Sequence, residues 1–137
     1  MRPDEIGVLT TLRHALGFHN ERQRVIAENI ANVNTPGFTP SDIPQSQFER
    51  VLAGEARTGS GLRTTDARHY GGEPRGLGSG LSPTQTPDSE TTANGNSVVI
   101  EEQMVRANDN RMRFETALSL YQKSLNLIRL AARPPGQ

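Results

Sequence analysis

Two histidines near the start of the chain come nearest to a metal-binding pattern. His14 and His19 are five positions apart, whereas a helix brings ligands onto one face at spacings of three or four residues. We therefore interpret His14 as a surface residue and His19 as a polar position within a helix interface. Neither histidine is predicted to bind a metal ion.

Other residues that could perform chemistry lack the surroundings that chemistry needs. Gly76, Gly78 and Gly80 are spaced as in a phosphate-binding loop, but no strand precedes them and no Lys-Ser/Thr helix start follows. Glu101 and Glu102 are adjacent, so on a helix they do not face each other as an acid–base pair. No recognisable nucleophile motif is present. We predict no enzymatic activity, no cofactor and no small-molecule substrate.

The composition describes one small domain with a limited core. The chain has 137 residues, a hydrophobic fraction of 33% and no net charge at pH 7. Such a balance offers no basic face for nucleic acid and no polybasic membrane patch. Cysteine is absent, which excludes disulfides and zinc–thiolate sites. The sequence contains no apolar run long enough to span a membrane, so we expect no transmembrane helix. The start of the chain lacks a continuous apolar region, so we expect no cleavable signal peptide.

A long helix is predicted over about residues 4–33. Pro3 suits its first turn, and Pro36 should end it near residues 32–34 because proline disfavours a helical residue before it. Gly37 can then take a backbone angle that other residues avoid. The apolar side chains alternate spacings of three and four, the pattern of a coiled-coil seam, with His19 and Gln23 polar in its middle. The apolar members of this seam are Leu9, Leu12, Leu16, Ile26, Ile30 and Val33.

A second long helix is predicted over residues 97–133. Ser97 is a suitable N-cap, and Pro134 and Pro135 should stop the helix. Its seam again steps by four and three residues, and Arg111 interrupts it. The other members are Ile100, Met104, Ala107, Phe114, Leu118, Tyr121, Leu125 and Ile128.

The segment between the helices has a different composition. Residues 34–97 contain 10 of the 13 glycines and 6 of the 9 prolines. Such a segment offers too little apolar surface to offset the entropy of ordering the chain. We predict a largely irregular segment with a possible helical turn at 48–53 and a possible strand at 61–70. Asn94 and Gly95 form a turn signal before the second helix.

The predicted fold is mainly α, with two long terminal helices pairing as an antiparallel coiled-coil hairpin. We divide the chain into an N-terminal helix (1–35), a Gly/Pro-rich and largely irregular middle segment (36–96), a C-terminal helix (97–133) and a short tail (134–137). Without further information this pattern is equally typical of an ordinary helical hairpin.

The end of the first helix resembles the N-terminal signature of the flagellar axial proteins, the rod and hook components of the bacterial flagellum. An arginine-rich approach, with Arg22 and Arg24, precedes the motif. In the second half, the residues that match the family's pattern are Gly95, Asn96, Val98, Met104 and Asn110. The short middle segment is more similar to the proximal-rod members than to hook and distal-rod proteins, which carry longer inserts. The motif itself comprises Asn29, Ala31, Asn32, Thr35, Pro36, Gly37 and Phe38.

This resemblance implies a structural subunit of the rod, the drive shaft that transmits torque and passes exported subunits. Its partners would be other copies of itself, other rod proteins, and adaptor and export-gate proteins at the rod base. It would lie in the periplasmic part of the basal body after type III export. The alternative is a soluble helical-hairpin chaperone or adaptor of an export system, which would remain a stable cytoplasmic dimer.

Overall fold

The computed structural model describes residues 7–58 and 81–132. Its elements, in chain order, are α1 (Gly7–Ala31), β1 (Ser41–Asp42), α2 (Gln45–Thr58), β2 (Thr84–Gln85) and α3 (Ile100–Ala131). The fold is therefore mainly helical, and the two long helices α1 and α3 form the most extensive contact between elements. None of the described helices is long and apolar enough to cross a membrane.

Helix α1 ends at Ala31, close to the predicted end at residues 32–34. The Asn32 N–H still donates to the carbonyls of Glu28 and Asn29, each at 3.1 Å. The chain then turns, and Gly37 has a φ of +72°, a left-handed conformation that a residue with a Cβ avoids. The predicted role of Gly37 in this turn is confirmed.

The middle segment contains more structure than its composition predicts. Helix α2 has 14 residues, whereas we predicted only a helical turn at 48–53. The reason is tertiary packing: the Phe48 ring stacks on Phe18 with ring centroids 4.9 Å apart. Strands β1 and β2 add a short antiparallel ladder in which Ser41 is opposite Gln85. The possible strand at 61–70 lies outside the described residues.

The hydrophobic core of the described residues is small. Phe18 and Val25 of α1 form a cluster with Ile43, and Phe48 and Leu81 pack against it. Since α2 and the β2 region contribute these two partners, the middle segment covers one side of α1. The other side of α1 is left for α3.

The start of α3 differs from the prediction. The N-cap residue is Val99, whose side chain makes no capping hydrogen bond, so Ser97 is not the cap. The Ser97 hydroxyl instead donates to the Phe38 carbonyl at 3.5 Å, and the Ser97 N–H donates to the same carbonyl at 3.0 Å. The Val99 N–H is satisfied by the Asp88 carboxylate at 2.9 Å. A side chain from a distant loop has replaced the expected local cap.

Candidate functional site

The predicted seam on α1 lies on the buried and half-buried part of the helix. Leu9 and Ile26 are almost fully buried, and the remaining apolar members are half-buried. On α3 the fully buried positions are Gln103, Asn110 and Ala117. The half-buried seam members of α3 are Ile100, Ala107, Phe114, Leu118, Tyr121, Leu125 and Ile128.

Two predicted seam positions of α3 lie outside this buried face. Met104 is 55% exposed, and Arg111 is also exposed. Each follows a fully buried residue, Gln103 or Asn110, and one residue step turns a helix by about 100°. The prediction for Met104 is therefore corrected. The heptad pattern was read from apolar residues, whereas two of the buried positions carry amides.

Asn110 forms the centre of one polar layer between the long helices. Its Nδ2 donates to the His19 carbonyl at 2.8 Å and to the Gln23 Oε1 at 3.0 Å. Its Oδ1 lies 2.8 Å from the His19 Nδ1. Because a carbonyl can only accept, these contacts orient the amide with its oxygen toward the ring, so Nδ1 carries the proton in this arrangement.

The surroundings of His19 favour the neutral ring. Burial lowers the pKa of His19 below its ordinary value of 6.5, although the hydrogen bond to Asn110 acts in the opposite direction. The positive charges of Arg22 and Arg113 lower the pKa further. His19 therefore acts as a hydrogen-bonded interface residue, as the sequence predicted.

Asn29 joins α1 to two other elements. Its side chain exchanges two hydrogen bonds with the Ser41 backbone, accepting from the N–H at 3.0 Å and donating to the carbonyl at 2.7 Å. Nδ2 also donates to the Gln103 Oε1 at 3.0 Å. The amide thus supplies the pairing that a neighbouring strand would give to β1. The motif asparagine fixes both β1 and α3 to the end of α1.

Asp88 continues this network beneath the start of α3. Its carboxylate accepts from the Gln103 Nε2 at 2.9 and 3.1 Å and from the Val99 N–H. Arg106 pairs with the same carboxylate at 2.8 Å, and the Asp88 side chain is fully buried. A negative charge at a helix N-terminus is favourable, and here every contact it makes is charge-assisted.

The turn after α1 docks against the turn before α3. The Asn96 Nδ2 donates to the carbonyls of Asn32 and Thr35 at 2.9 and 2.7 Å. The Gly37 N–H donates to the Asn94 carbonyl at 3.0 Å. Asn96 is 2% exposed, so these backbone groups are satisfied by protein rather than by water. We call the region formed by residues 29–43 and 88–103 the junction.

Glycine is required where the two turns meet. Gly95 has a φ of +80°, and a Cβ at this position would lie 3.4 Å from the Gly37 Cα. Gly95 therefore combines a left-handed backbone with a close neighbour, whereas a Cβ at Gly37 would meet nothing within 4 Å and only its left-handed backbone favours glycine. The two turn signals of the sequence, which are far apart along the chain, form one structural unit.

An ion pair fixes β1 to the side of α1. Arg22 donates from Nε and Nη2 to the two carboxylate oxygens of Asp42, each at 2.8 Å. Burial acts to raise the pKa of Asp42, but Arg22 outweighs it and the net pKa lies below the ordinary value. This bidentate geometry is the strong form of an arginine–carboxylate pair. It orients the chain as it leaves the junction.

A second apolar surface lies on the outside of α3, on a different side of the helix from Gln103, Asn110 and Ala117. Successive side chains spaced by seven or eight residues lie on the same side of a helix, within an arc of roughly 80°. Four apolar side chains of α3 follow this spacing, and each is 47–69% exposed. Leu130 extends the same row. We call this surface the outer stripe, and its members are Val105, Met112, Leu120, Leu127 and Leu130.

Comparison of the sequence with known proteins identifies the family of this chain. The family model described as flagella basal body rod protein matches residues 9–39, which comprise most of α1 and the first turn of the junction. The flagellar basal body rod protein FlgB of Yersinia enterocolitica is 30% identical, with 83% of this chain and 85% of that protein aligned. The chain belongs to the FlgB family of flagellar basal body rod proteins.

Other FlgB proteins show similar agreement. FlgB of Borreliella burgdorferi is 30% identical over 78% of this chain and 84% of its own length. FlgB of Cereibacter sphaeroides is 29% identical over 91% of this chain and 98% of its own length. The similarity thus extends over both long helices and the junction.

The structure shows what most residues of the motif in this FlgB-family chain do. Asn29 and Asn32 bond the surrounding backbone, Gly37 provides the turn, and Phe38 is half-buried and accepts from Ser97. Ala31, Thr35 and Pro36 are exposed. Sequence analysis missed Asp88 and Gln103, which carry the buried network. The polar character of Gln103 beside an apolar seam could have indicated it, but Asp88 lies in a polar loop where no sequence signal distinguishes it. The sequence assigns neither residue a partner.

Proposed function

We propose that this chain is a subunit of the proximal part of the flagellar rod and assembles there by packing of its long helices. Membership of the FlgB family makes it a structural subunit of the basal body rod. The observation that carries the assembly mechanism is the outer stripe of α3. This helix has apolar residues on two sides, and α1 covers only one of them.

The hydrogen bonds between the helices support an antiparallel hairpin. Asn29, near the end of α1, bonds Gln103 near the start of α3. Ten residues earlier in α1, His19 bonds Asn110, which lies further along α3. The partners therefore advance in opposite directions along the two helices. A hairpin of this kind presents the outside of α3 along most of its length of roughly 48 Å.

The exposed stripe suits contacts between subunits. Contiguous apolar surface on a protein commonly marks an interaction site, and side chains at heptad-like spacing pack into the side of another helix. If the stripe of one copy meets a different surface of the next copy, the contact is head-to-tail, and it generates a helical assembly when the rotation between copies does not close a ring. A tubular shaft requires an open-ended assembly of this kind.

The proposal also includes the chain's route and neighbours. We propose export through the flagellar type III apparatus and assembly in the periplasm with further copies, other rod proteins, and adaptor and export-gate proteins at the rod base. The small core among the described residues fits a chain that must travel unfolded, because few apolar contacts have to be broken.

Imaging of isolated basal bodies tests this function. The chain has no cysteine, so Ser46→Cys on the exposed side of α2 provides a unique position for a maleimide-linked gold label. Motility of cells carrying the variant controls for retained function. We expect the label at the base of the rod. A chain that stays in the cytoplasm as a soluble dimer and never appears in basal bodies would instead support the export-chaperone alternative.

A further inference from the structure

We propose that the layer formed by His19, Gln23 and Asn110, here called the amide layer, determines the register in which α1 and α3 pair. The layer is closed by three contacts of 2.8–3.0 Å, and Asn110 is 1% exposed. This inference concerns pairing within one chain and does not depend on the proposed role in the rod.

The apolar seam cannot fix the register by itself. Its members repeat with a heptad period, so a shift of α1 by seven residues again places aliphatic side chains against α3. A hydrophobic contact has no directional requirement. Several registers of the helix pair would therefore bury similar apolar area.

The amide layer removes this ambiguity in both directions. A shift of seven residues one way replaces His19 and Gln23 by Leu12 and Leu16, and the opposite shift replaces them by Ile26 and Ile30. Either change removes the two side-chain partners of Asn110, the ring nitrogen at its Oδ1 and the Gln23 oxygen at its Nδ2, and leaves only a backbone carbonyl for the amide to bind. A buried polar group without a partner is strongly unfavourable, so both neighbouring registers are penalised.

A second polar contact reinforces the same register. Gln103 is fully buried and accepts from Asn29. A seven-residue shift would place Gln103 opposite Arg22, whose guanidinium is bound to Asp42, or opposite Pro36 beyond the helix end. Neither residue reproduces the amide contact of Asn29. Only the observed register satisfies both buried amides of α3 at once.

Disulfide trapping in the otherwise cysteine-free full-length chain tests the proposal. One reporter combines Leu16→Cys with Ala117→Cys, which heptad spacing from the Gln23–Asn110 contact places opposite each other in the observed register. The other combines Leu9→Cys with Ala117→Cys and reports a shift of seven residues. Each reporter is oxidised at low protein concentration in a buffer where circular dichroism shows helix, with and without His19→Leu, Gln23→Leu and Asn110→Leu.

With the amide layer intact, we expect the 16–117 disulfide to exceed the 9–117 disulfide at least tenfold. The three leucine substitutions should raise the proportion of the 9–117 disulfide at least tenfold without lowering the denaturant midpoint. Arg111→Leu is the matched control, since it adds the same side chain at an exposed neighbour of Asn110 and should leave the ratio unchanged.

Two outcomes would overturn the proposal. Comparable amounts of both disulfides with the layer intact would show that the register is not unique. An unchanged ratio after all three substitutions would show that the remaining contacts, the bond between Asn29 and Gln103 among them, set the register without the layer. In the second case, a lower denaturant midpoint would assign the layer a purely stabilising role.

Discussion

The two ends of the α1–α3 pair are held in different ways. At the junction, buried amides and a buried carboxylate connect α1, β1 and α3 through directional bonds. At the far end, apolar side chains meet α1 on one side of α3 while Leu127 and Leu130 remain exposed on another. The junction is therefore specified within one chain, whereas the far end retains apolar surface that a neighbouring subunit can cover. The directional bonds are concentrated at the junction, whereas the exposed apolar residues run along the outside of α3 from Val105, beside the junction, to Leu130.

Removal of the Asp88 carboxylate should disrupt the junction most strongly. In Asp88→Ala the Gln103 amide and the Val99 N–H lose their buried acceptor, and Arg106 keeps only Glu102 as a carboxylate partner. We expect the free energy of unfolding to fall by about 2–5 kcal/mol, measured by urea denaturation. Asp109→Ala is the control, because it breaks an exposed pair with Arg113 and should cost about 0.5 kcal/mol or less. Equal effects of the two changes would contradict the importance of the junction network.

Substitution at the contact between the two turns should have a smaller effect. In Gly95→Ala the alanine has to adopt a left-handed backbone conformation. Its Cβ would also lie 3.4 Å from the Gly37 Cα. We expect a loss of about 1–3 kcal/mol in unfolding free energy. Gly17→Ala is the matched change within α1, where a Cβ meets nothing within 4 Å. It should stabilise the chain by about 0.5–1 kcal/mol. If Gly95→Ala were also stabilising, the docked turns would not exist in solution.

Acid should weaken the amide layer through His19. Because burial lowers its pKa in the folded chain, the unfolded chain binds the proton more readily. Stability from this residue is present above pH 6.5 and is lost as the pH falls from 6.5 through the lowered pKa. Asp42 acts in a separate window, since its pKa is lowered from 3.8 and its contribution is lost only below that value. Urea midpoints measured between pH 7.5 and 4.5 should decline, and His19→Gln should flatten the decline. An unchanged decline in the variant would contradict this assignment.

The sequence predicted the long helices and the turns but not the contacts that join them. Helix periodicity and Pro36 give the extent of α1 because these signals are local. Gly37 and Gly95 were recognisable as turn residues, but nothing local shows that the two turns touch. Asp88 caps α3 from a loop 11 residues before Val99, so the nearby Ser97 was the plausible but incorrect choice. Helix α2 was underestimated because its stability depends on Phe48 packing against Phe18.

The most direct test of the comparison uses Met112→Ser with Leu127→Ser in the outer stripe. Both side chains are more than 60% exposed, so the unfolding free energy of the isolated chain should change by about 0.5 kcal/mol or less. Basal bodies isolated from cells that express this double variant should nevertheless lack the chain, whereas Gln122→Ser, an exposed polar position on a different side of α3, should be incorporated normally. Incorporation of the double variant at the wild-type level would contradict the claim that the outside of α3 joins subunits.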